Sequence, residues 1–182
     1  MSRRPDLVDV WVFRDRVLAS EPTLENADEP GDTPWIEPRI EILLMRRSPG
    51  RILSGIWQCV SGSLEDGETV PAGALRELVE ETGFGPAAIA AFFSLDQVNE
   101  FYEPTAGGLL SSTVFAVRVH PAAEPVLSHE HDAMHWLEPV DARALAVWPA
   151  YRESIRRLVE DVAEPVRARW FELHLDGSRV AR

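Results

Sequence analysis

The feature that most constrains the fold of this chain is the run GSLEDGETVPAGALRELVEETGF at residues 62–84. It places six carboxylates and one arginine in a loop that leads into a helical pattern. Thr69 is a good N-cap, Pro71 is tolerated in a first helical turn, and Gly83 suits the left-handed position after a helix end. These signals predict a helix from Val70 to Thr82, and its density of negative charge requires a cation or exposure to solvent.

The predicted helix has two chemically distinct sides. At about 100° per residue, one side is formed by Leu75, Leu78, Val79 and Thr82. The opposite side carries Glu77, Glu80 and Glu81. Carboxylates at these spacings repel one another and weaken a helix, and hard divalent cations, which take oxygen ligands, would offset that cost. An ordinary solvated acidic face is the alternative interpretation.

The same segment fits a known signature at every defined position. The signature is G-x5-E-x7-R-E-U-x-E-E-x-G-U, where U is a bulky aliphatic or aromatic residue, and it is that of the Nudix hydrolases. The matching residues are Gly62, Glu68, Arg76, Glu77, Leu78, Glu80, Glu81, Gly83 and Phe84. A match of this length, in a loop followed by a capped helix, is far more specific than a lone glycine motif. The chain therefore resembles the Nudix hydrolases.

The resemblance implies a metal site and a structural ion pair. The implied ligands of Mg²⁺ or Mn²⁺ are the backbone carbonyl of Gly62 and the carboxylates of Glu77, Glu80 and Glu81. Glu68 and Arg76 are implied to form an ion pair that holds the loop against the helix and leaves the other carboxylates free for metal. The implied reaction is hydrolysis of a diphosphate linkage in a nucleoside diphosphate joined to another group.

The formal net charge of −12 is consistent with such a reaction only if cations take part. A polyphosphate would be repelled unless metal ions bridged carboxylate and phosphate oxygens. Metal binding also lowers the pKa of water, and a nearby carboxylate can take its proton for in-line attack on phosphorus. The candidate catalytic residues are Glu81, Glu77, Glu130 and Arg76, and the choice of base among the three glutamates stays open.

Glu130 lies in the stretch SHEHDAMHWLEP. Many Nudix hydrolases place an additional glutamate in a loop before a strand that ends in a W-L or W-V pair, and residues 136–137 supply that pair here. An exposed loop glutamate is the alternative. The same stretch offers a zinc interpretation, in which the ligands would be His129, His131, Asp132 and His135. No further Cys or His cluster completes a tetrahedral shell, which disfavours zinc.

Length and composition agree with a single soluble enzyme domain. The 182 residues are one domain's worth, and 45% apolar content is enough for a core. A pI near 4.8 disfavours a nucleic-acid partner, so small phosphorylated, nucleotide-like metabolites are the expected partners. Cys59 is the only cysteine, which excludes an internal disulfide and points to a reducing compartment. The start lacks the apolar stretch of a signal peptide or membrane span, so we expect a cytoplasmic protein without membrane contact.

The order of strands and helices predicts a central mixed sheet between helices. The predicted strands are 7–13, 40–45, 56–62, 89–96, 112–119 and 135–137, and a second amphipathic helix is predicted at 149–162. This order resembles the Nudix α/β/α sandwich, in a domain over residues 1–163 with a mobile insertion at 19–38. Residues 164–182 form a predicted C-terminal extension. Its alternation of Phe171, Leu173 and Leu175 is consistent with an added strand, and we expect a contact there in a possible homodimer.

Substrate contacts are predicted from position alone. Arg46 and Arg47 follow the second strand and could meet phosphates, although exposed arginines at strand ends usually do not. Aromatic residues that could stack on a base are Trp57, Phe101, Tyr102 and Trp148, with burial in the core as the alternative.

Softer similarities suggest a branch of the family. The stretches GIWQCVSGSLEDGET, SLDQVNEFYEP and EHDAMHWLEP resemble nucleoside triphosphate or dihydroneopterin triphosphate pyrophosphatases. Dinucleoside polyphosphate hydrolysis is a rival, because that branch keeps a base-stacking tyrosine where Tyr102 stands, and ADP-ribose or a nucleotide sugar is a third candidate. An alternative of another class is a catalytically silent Nudix module that binds nucleotides or a protein.

Overall fold

The computed structural model of the chain describes residues 5–16 and 39–180. Within them, eight strands form one sheet: β1 (Leu7–Asp15), β2 (Ile40–Arg47), β3 (Trp57–Gln58), β4 (Val60–Ser63), β5 (Ile89–Glu103), β6 (Gly108–Val119), β7 (His131–Leu137) and β8 (Glu172–Leu173). The helices are α1 (Val70–Thr82), α2 (Pro139–Leu145), α3 (Pro149–Arg157) and α4 (Pro165–Ala168), with a 3₁₀ turn at Pro86–Ala88 and a π-helical turn at Leu158–Val162.

The sheet is mixed, as the sequence predicts. Its strand order is β3-β2-β1-β6-β5-β8, with β4 also pairing with β1 and β7 with β2. β1 and β6 run parallel, and the other pairs are antiparallel. β1 and β2 are nearly continuous apolar runs whose residues are mostly buried, which is typical of strands covered on both faces.

β1 and β2 form a fork. Residues 13–15 of β1 pair with residues 40–42 of β2, whereas residues 7–10 of β1 pair with β4. β3 pairs with the far end of β2, so the segment predicted as one strand at 56–62 is two short strands that fill the opening of the fork. The buried thiol of Cys59 lies between them.

Two hydrophobic cores cover the two faces of the sheet. One contains Trp11, Phe13 and Leu44 from the strands and Ile155 and Leu158 from the α3 segment. The other contains strand residues and, from α1, Ala74 and Leu78. Helices therefore cover both faces, which confirms the predicted α/β/α sandwich.

α1 begins and ends where the sequence predicts. The hydroxyl oxygen of Thr69 accepts a hydrogen bond from the backbone N–H of Ala72 at 3.4 Å. Gly83 has a φ of 72° and closes the helix with a hydrogen bond from its N–H to the carbonyl of Val79. Satisfied caps at both ends fix where the acidic residues of the helix stand.

The predicted division of α1 into an apolar and an acidic side is wrong in part. Val79, expected on the packing side, is 45% exposed. Glu77 and Glu81, expected opposite, are buried, while Glu80 is exposed. The reason is a polar cavity beside β4, described below, which receives the two glutamates that lie one turn apart.

Several element boundaries differ from prediction. β5 does not end near Asp96 but continues to Glu103. The pairing of β5 with β6 is irregular between Ser94 and Gln97, and Asp96 adopts a φ of 47° within this irregularity. β6 and β7 start earlier than predicted, at Gly108 and His131. The second helix occupies the predicted span as α3 and its π-helical continuation. α2 and α4 were not predicted, since short helices carry little periodicity.

The C-terminal extension contributes to the same sheet. β8 pairs with β5 through Phe92 and Leu173, which confirms the strand expected from the alternation. The predicted insertion at 19–38 lies outside the described residues, and the proposed division into a domain at 1–163 and an extension at 164–182 stays a prediction. None of the described helices is long and apolar enough to cross a membrane.

Candidate active site

A cavity of 1040 Å³ is lined by residues of α1, β1, β4, β5 and the start of α3. Seven acidic side chains of the described residues line it: Asp9, Glu77, Glu80, Glu81, Glu100, Glu103 and Glu130. Arg47 is the one arginine in that lining. Because like charges in a partly enclosed site repel strongly, a polyanion requires additional positive charge to enter.

Gly62 leaves space for the carboxylate of Glu77. A Cβ on Gly62 would lie 1.9 Å from Cδ of Glu77, and 2.1 and 2.2 Å from its two oxygens. Burial raises the pKa of Glu77, against the lowering effect of Arg76. The missing side chain thus allows α1 to place a buried carboxylate directly against β4.

Glu81 is the most strongly perturbed carboxylate of the site. It is 4% exposed, and its Oε2 has no hydrogen-bond partner in the described structure. Burial, and then the negative charges of Glu77 and Glu130, raise the pKa of Glu81 to about 8, although the backbone N–H of Ser61 and the charge of Arg47 lower it. Such a carboxylate is suited to bind a cation or to take up a proton.

Arg76 ties the loop to the helix. Its Nε donates to Oε1 of Glu68 at 3.0 Å, and its Nη2 donates to Oε2 of Glu68 at 3.2 Å and to the carbonyl of Ser63 at 2.8 Å. Its Nη1 also donates to Glu77 at 2.8 Å and to Glu80 at 3.1 Å. The expectation that Arg76 leaves these two carboxylates free is therefore not met, because the converging negative charges share its guanidinium.

The acidic side chains of the cavity do not converge on one point as the ligands of a metal ion would. Among the described residues, no three His, Cys, Asp or Glu side chains are grouped so that they could hold a metal ion. The chemistry of the donors nonetheless fits a hard cation, since they are carboxylate oxygens, two of the carboxylates are buried with raised pKa values, and Oε2 of Glu81 lacks a partner.

We expect Arg76→Lys to destabilise the protein by about 1–3 kcal/mol, because a lysine cannot reproduce the forked bonds to Glu68 and Ser63. Arg156→Lys is the matched control, since Arg156 makes comparable ion pairs on the exposed side of α3, where such pairs contribute little. Thermal unfolding of the two variants measures the difference. Equal melting temperatures would show that Arg76 does not hold the loop.

Glu130 stands where the sequence predicts, immediately before β7. Its two oxygens lie 3.6 Å from Nη1 of Arg47 and 3.6 Å from Nη1 of Arg51. Its backbone carbonyl accepts from the N–H of Ser48 at 2.8 Å. Two arginines thus hold Glu130 at the cavity, near enough to raise the pKa of Glu81.

The histidines of the same stretch are dispersed. His131 is buried beside the amide of Gln58, at 3.4 Å, and burial lowers its pKa to about 4. His135 is exposed and stacks on Trp57, with ring centroids 4.8 Å apart. Asp132 is bound by Arg46. Among the described residues, the side chains of the disfavoured zinc interpretation are therefore not grouped around one point.

The predicted substrate contacts divide into two groups. Arg47, Phe101 and Tyr102 line the cavity. Arg46 and Trp57 are not part of its lining: the guanidinium of Arg46 makes two hydrogen bonds to Asp132, at 2.8 and 3.1 Å. The structure therefore favours the first group as substrate contacts.

Sequence reasoning missed a second polar group in the cavity, on the strands rather than on α1. Asp9 is 4% exposed, yet it lines the cavity together with Asn99 and Ser61. The signal available in the sequence was the single carboxylate in the apolar run LVDVWVF. Its neighbours could not be found in this way, because they come from other strands.

Comparison with known proteins agrees with the fold and identifies the family. The sequence profile of the NUDIX domain matches residues 35–158. An octanoyltransferase of Myxococcus xanthus is 36% identical over 122 residues, which are 66% of this chain and 32% of that protein, so the chain spans about a third of its length. The dihydroneopterin triphosphate diphosphatase of Escherichia coli K12 is 28% identical over 117 residues, 59% of this chain and 77% of that protein.

Solved structures share the architecture at low identity. A NUDIX hydrolase of Listeria monocytogenes has a TM-score of 0.62 at 21% identity, covering 86% of this chain and 93% of that one. An Ap4A hydrolase of C. elegans has a TM-score of 0.62 at 19% identity, covering 85% and 95%. The E. coli dihydroneopterin triphosphate pyrophosphohydrolase has a TM-score of 0.59 at 22% identity, covering 84% and 94%.

The fold has a mixed sheet covered by helices on both faces, and one of these helices, α1, carries the glutamates of the cavity. The match over residues 35–158 covers most of the chain. The chain belongs to the NUDIX family, and this membership supports an enzyme of the pyrophosphohydrolase type.

Proposed function

We propose that the chain is a divalent-metal-dependent pyrophosphohydrolase that acts on a nucleoside triphosphate or a pterin triphosphate and releases pyrophosphate. The observation that carries the proposal is the cavity wall at which Glu77 and Glu81 lie buried beside Gly62. A cytoplasmic location is part of the proposal, since Cys59 is a buried free thiol.

The charge of the cavity supports a cation-dependent reaction. Glu77, Glu80, Glu81 and the carbonyl of Gly62 would hold Mg²⁺ or Mn²⁺. When bound, such an ion would supply the positive charge that neutralises the phosphates and makes water more acidic. Arg76 would then keep the loop in place through Glu68 and Ser63, whose bonds to it do not involve the metal ligands.

The carboxylates have different parts in this mechanism. Glu81 has an oxygen without a hydrogen-bond partner, and burial raises its pKa, which favours the uptake of a proton by this carboxylate. It would accept the proton of the attacking water, whose oxygen forms a bond to phosphorus while the bond from that phosphorus to the leaving pyrophosphate breaks. Arg47, which lines the cavity and lies beside Glu130, would contact the phosphates.

A second candidate is hydrolysis of a dinucleoside polyphosphate. Tyr102 is 64% exposed on the cavity wall, and an exposed ring there is available to stack on a second base. The structural likeness to an Ap4A hydrolase supports only the fold at its level of identity. ADP-ribose or a nucleotide sugar is the third candidate, and the described residues supply no contact that favours it.

A substrate panel tests the proposal. Nucleoside triphosphates, dihydroneopterin triphosphate, diadenosine polyphosphates and ADP-ribose would be incubated with Mg²⁺ or Mn²⁺, with and without added pyrophosphatase, and phosphate release measured. We expect a preferred triphosphate whose signal depends on pyrophosphatase and disappears with EDTA. The dinucleotide and ADP-ribose products require an added phosphatase for detection.

Thermal unfolding distinguishes the enzyme from a silent binding module. A cation that binds only the native state at 100 times its Kd stabilises it by about 2.7 kcal/mol, so Mg²⁺ or Mn²⁺ should raise the melting temperature. No shift with either ion, together with no hydrolysis across the panel, would contradict the proposal and favour a module that binds without catalysis.

A further inference from the structure

Asp9 is a buried carboxylate that the proposed mechanism does not use. It interrupts the apolar strand β1, and its neighbours Val8 and Val10 are fully buried. Its Oδ2 accepts a hydrogen bond from the hydroxyl of Ser112 at 2.7 Å and a longer one from the amide of Asn99 at 3.4 Å. The hydroxyl of Ser61 also interacts with it. Burying a charge in this way is costly unless it is well paired.

Asp9 can accept two hydrogen bonds from a ligand if the ligand takes the place of Asn99. A carboxylate has about four acceptor positions, and Ser112, Asn99 and Ser61 occupy three of them. The bond from Asn99, at 3.4 Å, is the weaker of the two on Oδ2 and lies near the limit of hydrogen-bond length. Asn99 is itself held by Gln97, whose amide donates to its carbonyl oxygen at 2.8 Å. Asp9, Asn99, Ser61 and Ser112 therefore form a connected polar row beside the cavity. Burial raises the pKa of Asp9.

This row lies on the face of the sheet opposite to Glu77. Gly62 faces Glu77, and side chains alternate along a strand, so Ser61 belongs to the other face, in register with Asp9. The cavity reaches both faces, since its lining includes residues of both. A substrate in it can thus have its phosphates at α1 and its opposite end at Asp9.

Aromatic side chains flank the polar row. Phe101 lies two residues beyond Asn99 on β5, on the same face of that strand. From the other side, Trp148 and Tyr151 at the start of α3 line the cavity and pack edge to face, with centroids 5.4 Å apart. A carboxylate at the floor and rings at the sides suit a flat heterocycle that presents N–H groups along one edge.

We infer that Asp9 is a specificity-determining residue that accepts hydrogen bonds from two adjacent N–H groups of the substrate's heterocycle. The matching chemistry is the 2-amino-4-oxopyrimidine edge, with its ring N–H and exocyclic amino group, which guanine and pterins share. Adenine and cytosine present one donor beside an acceptor on the corresponding edge, and hypoxanthine lacks the amino group. The inference rests on the proposed function, because it names the substrate class of the same site.

GTP and ITP form the matched pair of substrates that tests this, since they differ only in the 2-amino group. We expect kcat/KM for GTP to exceed that for ITP by about tenfold or more in the wild-type protein, the usual effect of one hydrogen bond to a charged acceptor. Asp9→Asn should bring the ratio close to one, because its amide presents a donor. Dihydroneopterin triphosphate in parallel shows whether the pterin or the purine is preferred.

Glu100→Gln is the control, because it removes an equal charge from the cavity wall at an exposed position. It should keep the wild-type ratio of GTP to ITP, whatever it does to absolute rates. A wild-type ratio near one would overturn the inference, and this comparison needs no variant, so it stands even if Asp9→Asn fails to fold.

Binding of guanosine and inosine in EDTA separates the inference from the proposed function. Calorimetry with these uncharged nucleosides requires neither hydrolysis nor metal. Tighter binding of guanosine by about tenfold, lost in Asp9→Asn, would support the role of Asp9 even if no triphosphate were cleaved. Equal or undetectable binding of both, in a protein that also fails to distinguish GTP from ITP, would refute it.

Discussion

Glu81→Gln is expected to reduce kcat by about 10²–10⁴-fold, the usual contribution of a general base. The substitution keeps the size of the side chain and removes its ability to take a proton, so the effect should fall on kcat more than on KM. Steady-state kinetics on the preferred substrate of the panel measures it. A variant with a near-normal rate would exclude Glu81 both as base and as an essential ligand.

The same substitution should change how stability depends on pH. The pKa of Glu81 is raised from 4.5 to about 8 in the native state, so the native protein binds this proton more tightly than the unfolded chain. The stability that protonated Glu81 contributes is complete below pH 4.5 and is lost as the pH rises from there to about 8. Without metal, the wild type should therefore lose more stability between pH 5 and pH 8 than Glu81→Gln does, in denaturant unfolding with EDTA.

Asp66→Asn is the control for both experiments, because Asp66 is an exposed carboxylate of the loop that leads to α1 and does not line the cavity. It should retain wild-type kinetics and the wild-type pH profile. If Asp66→Asn lowered the rate as much as Glu81→Gln does, the effect of Glu81→Gln would come from the loss of one negative charge and not from the position of Glu81.

Gly62→Ala is expected to lower kcat/KM by about 10²-fold, because a shift of about 1 Å at a reacting group has effects of this size. The new Cβ would lie 1.9 Å from Cδ of Glu77, and the carboxylate must move. It is buried and bound by Arg76, so the move should also cost about 1–3 kcal/mol of stability, as overpacking does.

Gly85→Ala provides the comparison for this variant. Gly85 has a φ of −77°, and a Cβ there would meet no atom within 4 Å, so activity and melting temperature should stay near wild type. Kinetics, Mg²⁺ titration and thermal unfolding of both variants complete the test. Wild-type behaviour of Gly62→Ala would mean that the close approach of α1 to β4 is not required.

The arrangement that the sequence predicted in most detail, α1 and the loop before it, is local in the chain. Gly62, Thr69 and Gly83 each act on residues within one loop and one helix, so their spacing alone predicts α1 and its glutamates. Asp9 and Ser112 meet only because β1 and β6 run side by side. Contacts between such distant segments depend on sheet register, which periodicity does not determine.

The adjacent residues Arg46 and Arg47 illustrate the same limit. Both were predicted as substrate contacts, although successive side chains of a strand point to opposite faces. The register between β2 and β7 also shifts between these two residues. Only the structure shows that Arg47 reaches the cavity while Arg46 binds Asp132.

β4 lies in the fork between β1 and β2, and its two faces are turned toward different parts of the cavity. Gly62 faces Glu77 of α1 and Ser61 faces Asp9, so in the proposed function this strand would separate the heterocycle of the substrate from its phosphates. In the proposed function a substrate would reach from one face of the sheet to the other, and the distance from Asp9 to Glu81 would set which phosphorus lies at Glu81. Selection by length would thereby be added to selection by chemistry, and ligands with the same head group would be cut at the same phosphorus counted from that head group, whatever the length of the phosphate chain beyond it.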